Sequence, residues 1–349
     1  MPAAATIFRV GDNTVPTSTA GGVLTPGLRA DYKAAYKRTY KAQVEMMSKV
    51  MDLSRKSDKA YELYAYYKSS PIIHRWDRGQ GIPQDATDVV QFACPNYRWG
   101  VRVAWHKDDE SDDQTGMLVE RAREAGESEA LLDERAFFQI ITNTTDLDML
   151  PVIPLAPDGV ALASATDGTG ADRFGVSGGN LIAGLPNPDG NDIRDLYYDT
   201  MTRFRRMLDT KNQPLHPVQK LQAGVLIVHG SLLSKQVKEA FLQQYPLQTA
   251  NGGKAAAAPS NVIIDAGDNV QLWNSPRITD QSVHVFLTAE SLKAVFRQER
   301  EAFYEAPADT GNSDSVRDTY QRYIQWTGRR GYGAFLPTGY IKWTNAAAA

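Results

Sequence analysis

Five histidines, one cysteine and a few clustered arginines are the residues of this 349-residue chain best suited to do chemistry. His74, His106, His216, His229 and His284 are scattered, and no two stand at the i, i+4 spacing that places paired metal ligands on one helical turn. His229 closes an apolar stretch and reads as a local hydrogen-bonding group. Cys94 is the sole cysteine, which rules out an intrachain disulfide and any CxxC metal or redox site and fits a reducing environment. Asp146 and Asp148 have the types of an acid and base pair, but nothing in the sequence supplies a partner or pocket, so they read as polar loop residues. The VSGGN stretch at Val176–Asn180 has the glycines of a phosphate loop without the preceding apolar strand or the lysine. The patterns GxxxxGK[ST] and HExxH do not occur, and the one GxSxG, at Gly175–Gly179, likewise follows no apolar strand. Neither catalysis nor a metal or cofactor is expected.

Two charged features remain. The acidic run HKDDESDD, His106–Asp113, could be read as a calcium loop, but starting the pattern at Asp108 or Asp109 puts Asp113 or Gln114 where the obligatory glycine belongs. It is better read as compensation for the positive end of the helix that follows. Arg203, Arg205 and Arg206 lie on one predicted helix, with Arg203 and Arg206 sharing a face at i, i+3, where they could meet phosphate, a neighbour's carboxylate or only solvent. Arg329 and Arg330 read as part of a glycine-flanked turn.

The elements that must position these groups come from periodicity. Residues 1–27 are rich in Ala, Thr, Gly and Pro and read as a flexible arm. Tyr32, Ala35, Tyr36, Tyr40, Val44, Met47 and Val50 recur near 3.6 spacing, predicting an amphipathic helix over 27–54. From Tyr61 to Trp105 aromatic and β-branched residues dominate around a turn-rich centre, predicting a long two-stranded excursion. A lone hairpin is marginal in water, so this one must lie on another surface, its own core or a neighbouring subunit. A strong helix is predicted over 114–142, with Leu118, Ala122, Ala125, Leu132, Ala136, Phe137 and Ile140 as its buried stripe. A Gly- and Asp-rich loop spans 158–180. Helices follow over 192–209 and 231–244, with strands at 223–228, 262–264, 270–272 and 283–287 and further return segments to the C-terminus.

Composition bounds the rest. Lys plus Arg number 38 and Asp plus Glu 41, a net charge of −3, which argues against a protein built for long-range attraction of nucleic acid. The length suggests about two domains. No stretch approaches ~20 consecutive apolar residues, and the N-terminus lacks the pattern of a secretory signal.

The order of segments from Asp158 onward resembles the major head proteins of Mu-like tailed phages. The residues carrying the resemblance are DGVALASA and GGNL at Asp158–Ala165 and Gly178–Leu181. Next comes the run from Tyr198 through Arg206, Leu208 and Asp209 to Gln213–Leu215, Pro217 and Leu226–Val228. Last are VFLTA at Val285–Ala289, then VFRQERE and the Gly-Tyr-Gly strand Gly331–Gly333. Where that family often carries a histidine soon after the first segment, this chain has Asp167-Gly168.

The resemblance implies an α+β fold of the Hong-Kong-97 capsid type. Its expected parts are an N-terminal arm and helix (1–58), an extended β-hairpin loop (59–107), a peripheral domain with a long spine helix (108–190) and an axial domain with a central mixed sheet (191–290). Residues 291–349 would return to complete both domains. The implied function is that of a major capsid protein self-assembling into the icosahedral head of a double-stranded DNA phage, located in the virion and assembled in the host cytoplasm. Implied partners are further copies in pentamers and hexamers, scaffold, portal and decoration proteins, and non-specific contact with packaged DNA, without any membrane. Intersubunit contacts are expected at Tyr66, Trp76, Arg78 and Trp99 on the excursion and at Arg203, Arg206, Arg329 and Arg330. The competing readings are a soluble oligomeric α+β enzyme and a decoration or tail protein.

Overall fold

The computed structural model describes residues 6–10, 13–17, 24–69, 71, 88–106, 117–143, 155–216, 224–242, 269–309 and 321–345. The chain opens with a correction: within the predicted arm, β1 (Thr6–Val10) pairs antiparallel with β2 (Asn13–Thr17). TIFRV and NTVPT flank Gly-Asp, a two-residue hairpin connection with the turn composition that strand pairing favours.

Helix α1 (Leu24–Val50) stops four residues short of its predicted end, and Met51–Lys56 forms strand β3. The helical spacing runs out at Val50, and β3 pairs parallel with β11 (Val295–Asp309). The predicted excursion is likewise shorter than its sequence suggested. Strand β4 (Tyr61–Tyr67) pairs with β5 (Val89–Pro95) as a separate two-stranded sheet. The next strand, β6 (Tyr97–His106), belongs to the body, where it pairs with β12 (Gln321–Ala334) in the four-stranded order β3-β11-β12-β6. Arg329 and Arg330 therefore lie inside a 14-residue strand, not in a turn. Their flanking glycines suggested a turn because the need for small residues there comes from what packs above the sheet.

Helix α2 (Met117–Thr142) buries every residue of its predicted stripe. Its N-terminal half packs Leu118, Ala122 and Ala125 with Val103, Trp105, Ile324 and Trp326. Its C-terminal half carries Phe137, Phe138, Ile140 and Ile141 onto Leu226, Val228, Phe286 and Tyr340 of the second large sheet. One helix thus spans both sheets.

That second sheet has the order β7-β13-β10-β8-β9, built from β7 (Leu181–Ala183), β13 (Tyr340–Thr344), β10 (Val283–Leu287), β8 (Val225–His229) and β9 (Val270–Asn274). Both end pairs are parallel and the middle pairs antiparallel. Strands β8 and β10 are buried on both faces, which is why they read as continuous apolar runs. Opposite α2, the sheet is covered by α3 (Gly190–Arg206) and α4 (Ser234–Leu242), through Ile193, Tyr197, Phe204, Val237 and Phe241. Asp189 and Asp192 form a capping box at the start of α3, and Arg203, Arg205 and Arg206 fill its last turn, each end matching the helix dipole. The strand predicted over 262–264 lies outside the described residues.

Between α2 and the four-stranded sheet sits an ionic network. Asp133, 1% exposed, accepts from Arg297 Nη1 at 2.6 Å, the Tyr332 hydroxyl at 2.6 Å and Arg330 Nη1 at 3.4 Å. Arg330 also lies 3.6 Å from Glu129 and 3.5 Å from Glu299, while the Tyr32 hydroxyl of α1 donates to Glu129. Burial disfavours charge on both arginines, but Asp133 beside them raises their pKa values above the usual guanidinium range. A buried carboxylate with two guanidiniums around it is expensive to break from one side. Replacing Asp133 with Asn should cost ~3–5 kcal/mol of subunit stability in urea titration, whereas Glu120→Gln, in an exposed pair on the same helix, should stay within ~1 kcal/mol.

Candidate intersubunit surface

The sequence that looked like a phosphate loop is a structural clamp. Arg173, 1% exposed, grips Asp158 with two hydrogen bonds of 2.8 Å and donates to the Ala161 and Leu162 carbonyls. The Asn180 amide donates to the carbonyls of Leu162, Pro337 and Tyr340, and its oxygen accepts from the Ser164 amide. Gly179 has φ +55°, and a Cβ there would come within 2.4 Å of the Ser164 carbonyl oxygen. The DGVALASA and GGNL segments thus cohere because Asp158, Arg173 and Asn180 tie one loop to itself and to β13.

Arg203 completes that loop. It donates to the carbonyls of Ser177, Gly179 and Leu181 and pairs with Asp199 at 3.2 Å. Its guanidinium is engaged within its own chain, while Arg206, one turn on, is exposed.

A second constellation looks more like chemistry. Ser282 Oγ donates to Asp280 at 2.5 Å and lies 3.0 Å from His284 Nε2, and His284 Nδ1 lies 2.7 Å from the Tyr340 hydroxyl. In an open cleft such a string would suggest a hydroxyl nucleophile and its base. Here Ser282, His284 and Tyr340 are buried against the end of α2. Burial, followed by the nearby charge of Lys342, pushes the His284 pKa down to about 3. His229, as expected, bonds locally to the Gly230 carbonyl through Nδ1. Among the described residues no group of three or more His, Cys, Asp or Glu is arranged to hold a metal.

The hairpin β4–β5 has two unlike faces. On the inner face Tyr64 and Phe92 pack edge-on or tilted against Phe296 and Phe335, and the Arg55 guanidinium lies 4.1–4.8 Å from the Tyr64, Phe296 and Phe335 ring centres. Tyr64 also donates to Gln298 at 2.6 Å. Beneath the hairpin base the sheet must present no side chain: a Cβ on Gly331 would meet the Pro95 carbonyl oxygen at 2.5 Å. Tyr332, next along, turns to the opposite face and reaches Asp133. Tyr66 is turned inward against Asp158 and Arg173, lining with them a 170 Å³ cavity, and burial pushes its pKa up to about 12.

The outer face is the reverse. Tyr61, Leu63 and Tyr67 are 56%, 61% and 63% exposed, and Val89, opposite Tyr67, is 39% exposed. With Pro95 opposite Tyr61 and Ala93 opposite Leu63, they make an apolar ladder facing away from the body.

Of the predicted contact residues, Trp76 and Arg78 lie outside the described residues. Trp99 donates its indole N–H to the Arg330 carbonyl at 3.0 Å and packs edge-on against Tyr332, so it serves the core. Arg330 is enclosed in the ionic network, and Arg329, on the other face of β12, lies 3.4 Å from Glu301. Trp99, Arg329 and Arg330 are neighbours, and Arg203 and Arg206 belong to a separate helix. Tyr61, Leu63, Tyr67 and Val89 were not singled out as individuals, and the signal of their exposed ladder was apolar character at both phases of YELYAYY and VVQFACP.

No family model matches the chain. No curated protein matches it in sequence. Solved structures do match in fold. The capsid structure of the Cyanophage P-SCSP1u aligns at TM-score 0.56 with 10% identity, covering 86% of this chain and 88% of that one. The capsid of an empty GTA particle aligns at 0.53 with 10% identity, covering 86% and 89%. A chain of Mycobacterium phage Cain aligns at 0.51 with 11% identity, covering 87% and 90%. The chain has the α+β architecture of the Hong-Kong-97-type capsid fold.

The buried histidine sets a pH limit. The folded chain keeps His284 neutral down to about pH 3, while the unfolded chain takes up the proton near the ordinary value of 6.5. Stability should therefore be fully present above pH 6.5 and fall as pH drops through this window. Urea titrations across pH 7 to 4 should show that loss, and His284→Gln should flatten the slope.

Proposed function

We propose that this chain is the major capsid protein of a tailed double-stranded DNA phage, built to tile an icosahedral shell with copies of itself. The observation that carries the reading is the two-faced hairpin. Its inner face is fixed by aromatic packing, and its outer face holds Tyr61, Leu63 and Tyr67 in water. A hairpin anchored at its base with an apolar ladder turned outward is suited to lie on a neighbouring copy. The fold supports the same conclusion, because structures of similar fold are described as capsids.

In this reading α1, α2 and the four-stranded sheet form the peripheral domain, with α2 as its spine. The five-stranded sheet with α3 and α4 forms the axial domain, and β4–β5 is the base of the extended loop. The Mu-like affiliation rests on the order of the DGVALASA, GGNL, VFLTA and Gly-Tyr-Gly segments. Place in the virion, assembly in the host cytoplasm, scaffold and portal partners and contact with the packaged genome follow from the role. A net charge of −3 suits close packing of many copies, since strongly like-charged subunits would repel. Each interface can then be weak, because apolar burial of ~25 cal/mol per Å² repeats at every neighbour.

Leu63→Glu combined with Tyr67→Glu should change the unfolding free energy of the isolated subunit by no more than ~0.5 kcal/mol, as exposed positions do. The same variant should fail to form shells in electron micrographs and sediment as small species. Normal shells from it would mean that the ladder is not an assembly surface.

A further inference from the structure

We propose that the 170 Å³ cavity beside β4 is a binding site for a primary ammonium on a short alkyl chain. Its walls come from parts of the fold that are distant in sequence. Strand β4 and the residue after it contribute Tyr66 and Lys68, and the body contributes residues from the loops 158–175 and 208–215. Where the two meet, the Thr210 N–H donates to the Lys68 carbonyl at 3.5 Å. Asp158, Asp167, Asp172 and Asp209 border the space against Arg173 and Lys68, a formal excess of two negative charges. Tyr66 adds a feature that carboxylates on a surface would lack. It is 8% exposed and lines the cavity, yet its hydroxyl makes no hydrogen bond to any described residue. A buried phenol normally finds a partner, and the cavity is where one can stand.

The walls select the chemistry of that partner. Arg173 offers an anion nothing, because its guanidinium is spent within its own loop. Nε and Nη2 donate to Asp158, and Nη1 donates to the Ala161 and Leu162 carbonyls and the Asn180 oxygen. Lys68 is engaged with Asp167, whose carboxyl is held below its usual range by hydrogen bonds from Thr169 and by the nearby lysine. A metal ion is disfavoured, since among the described residues no three carboxylate, histidine or cysteine groups are arranged to hold one. An ammonium has three N–H donors to divide between the Tyr66 oxygen and the carboxylates. Phe174, Leu208 and Leu215 give the cavity an apolar side for methylenes. At ~30 Å³ per water-sized group the volume holds about six heavy atoms, the size of 1,4-diaminobutane, whose two charges match the excess. A lysine side chain of a second copy presents the same group.

The inference stands apart from the shell reading, because the unassembled subunit should show it. Titration calorimetry of the full chain with 1,4-diaminobutane should find one saturable site per subunit, and saturation should raise the melting temperature. Tyr66→Phe keeps the ring and should weaken binding about tenfold, as loss of a hydrogen bond to a charged group does. Asp172→Asn, at an exposed position, should weaken it severalfold with unchanged thermal unfolding, and it carries the test if Tyr66→Phe does not fold. 1-Butanol, which has the chain without the charge, should not bind. Sedimentation separates the two sources of the group. Self-association that saturating diamine disperses, and that Tyr66→Phe weakens, assigns the ammonium to a lysine of a second copy; association that neither changes assigns it to a free amine. Absence of saturable binding, or wild-type affinity in both variants, overturns the proposal and leaves the shell reading intact. Displacement of the amine by stoichiometric Ca²⁺ overturns it in favour of a metal site.

Discussion

The seating of α2 on the four-stranded sheet is referred to one carboxylate. Asp133 takes bonds from Arg297 on β11 and from Arg330 and Tyr332 on β12, so a single side chain of α2 fixes that helix against two adjacent strands. Apolar packing alone tolerates small rotations and slips, because hydrophobic attraction has little direction. A buried ion network tolerates neither, since displacement strands a charge in a low dielectric. With the helix held in register, its first half closes over Val103 and Trp326 and its second half delivers Phe137 and Ile141 to the five-stranded sheet.

The same four-stranded sheet has to satisfy opposite demands on its two faces. One face receives α1, α2 and the ion network. The other receives the hairpin base, which is why Tyr332 stands between Gly331 and Gly333: the tyrosine serves the network while the glycines leave room for Pro95 and Phe296. The order of these three residues is a record of two different contacts made by one strand.

The helices and the inner strands were legible in the sequence because each is governed by local periodicity. The stripe of α2 and the all-apolar runs of β8 and β10 are examples. The partition of residues 61–105 was not, because β5 and β6 are separated by a single residue, Asn96, and nothing local says that one pairs with β4 and the other with β12. The arginines were the hardest to place. Arg203, Arg206, Arg329 and Arg330 are alike in sequence, yet one clamps carbonyls, one is exposed, one pairs at a sheet surface and one is enclosed. Only tertiary neighbours separate those roles. The exposed ladder was visible as excess apolar character, but its outward face depends on which phase of the strand meets Phe296.

Cys94 sits on the inner side of the hairpin base, fully buried, and so close to Gly331 that a Cβ there would come within 3.0 Å of its sulfur. Burial pushes its thiol pKa up to about 12, so the reactive thiolate is suppressed as well as shielded. The chain thereby carries one latent reporter of its own mechanics. Its rate of alkylation should follow how often the hairpin base lifts from the sheet, and a copy lying across the hairpin would slow that clock without touching the sulfur.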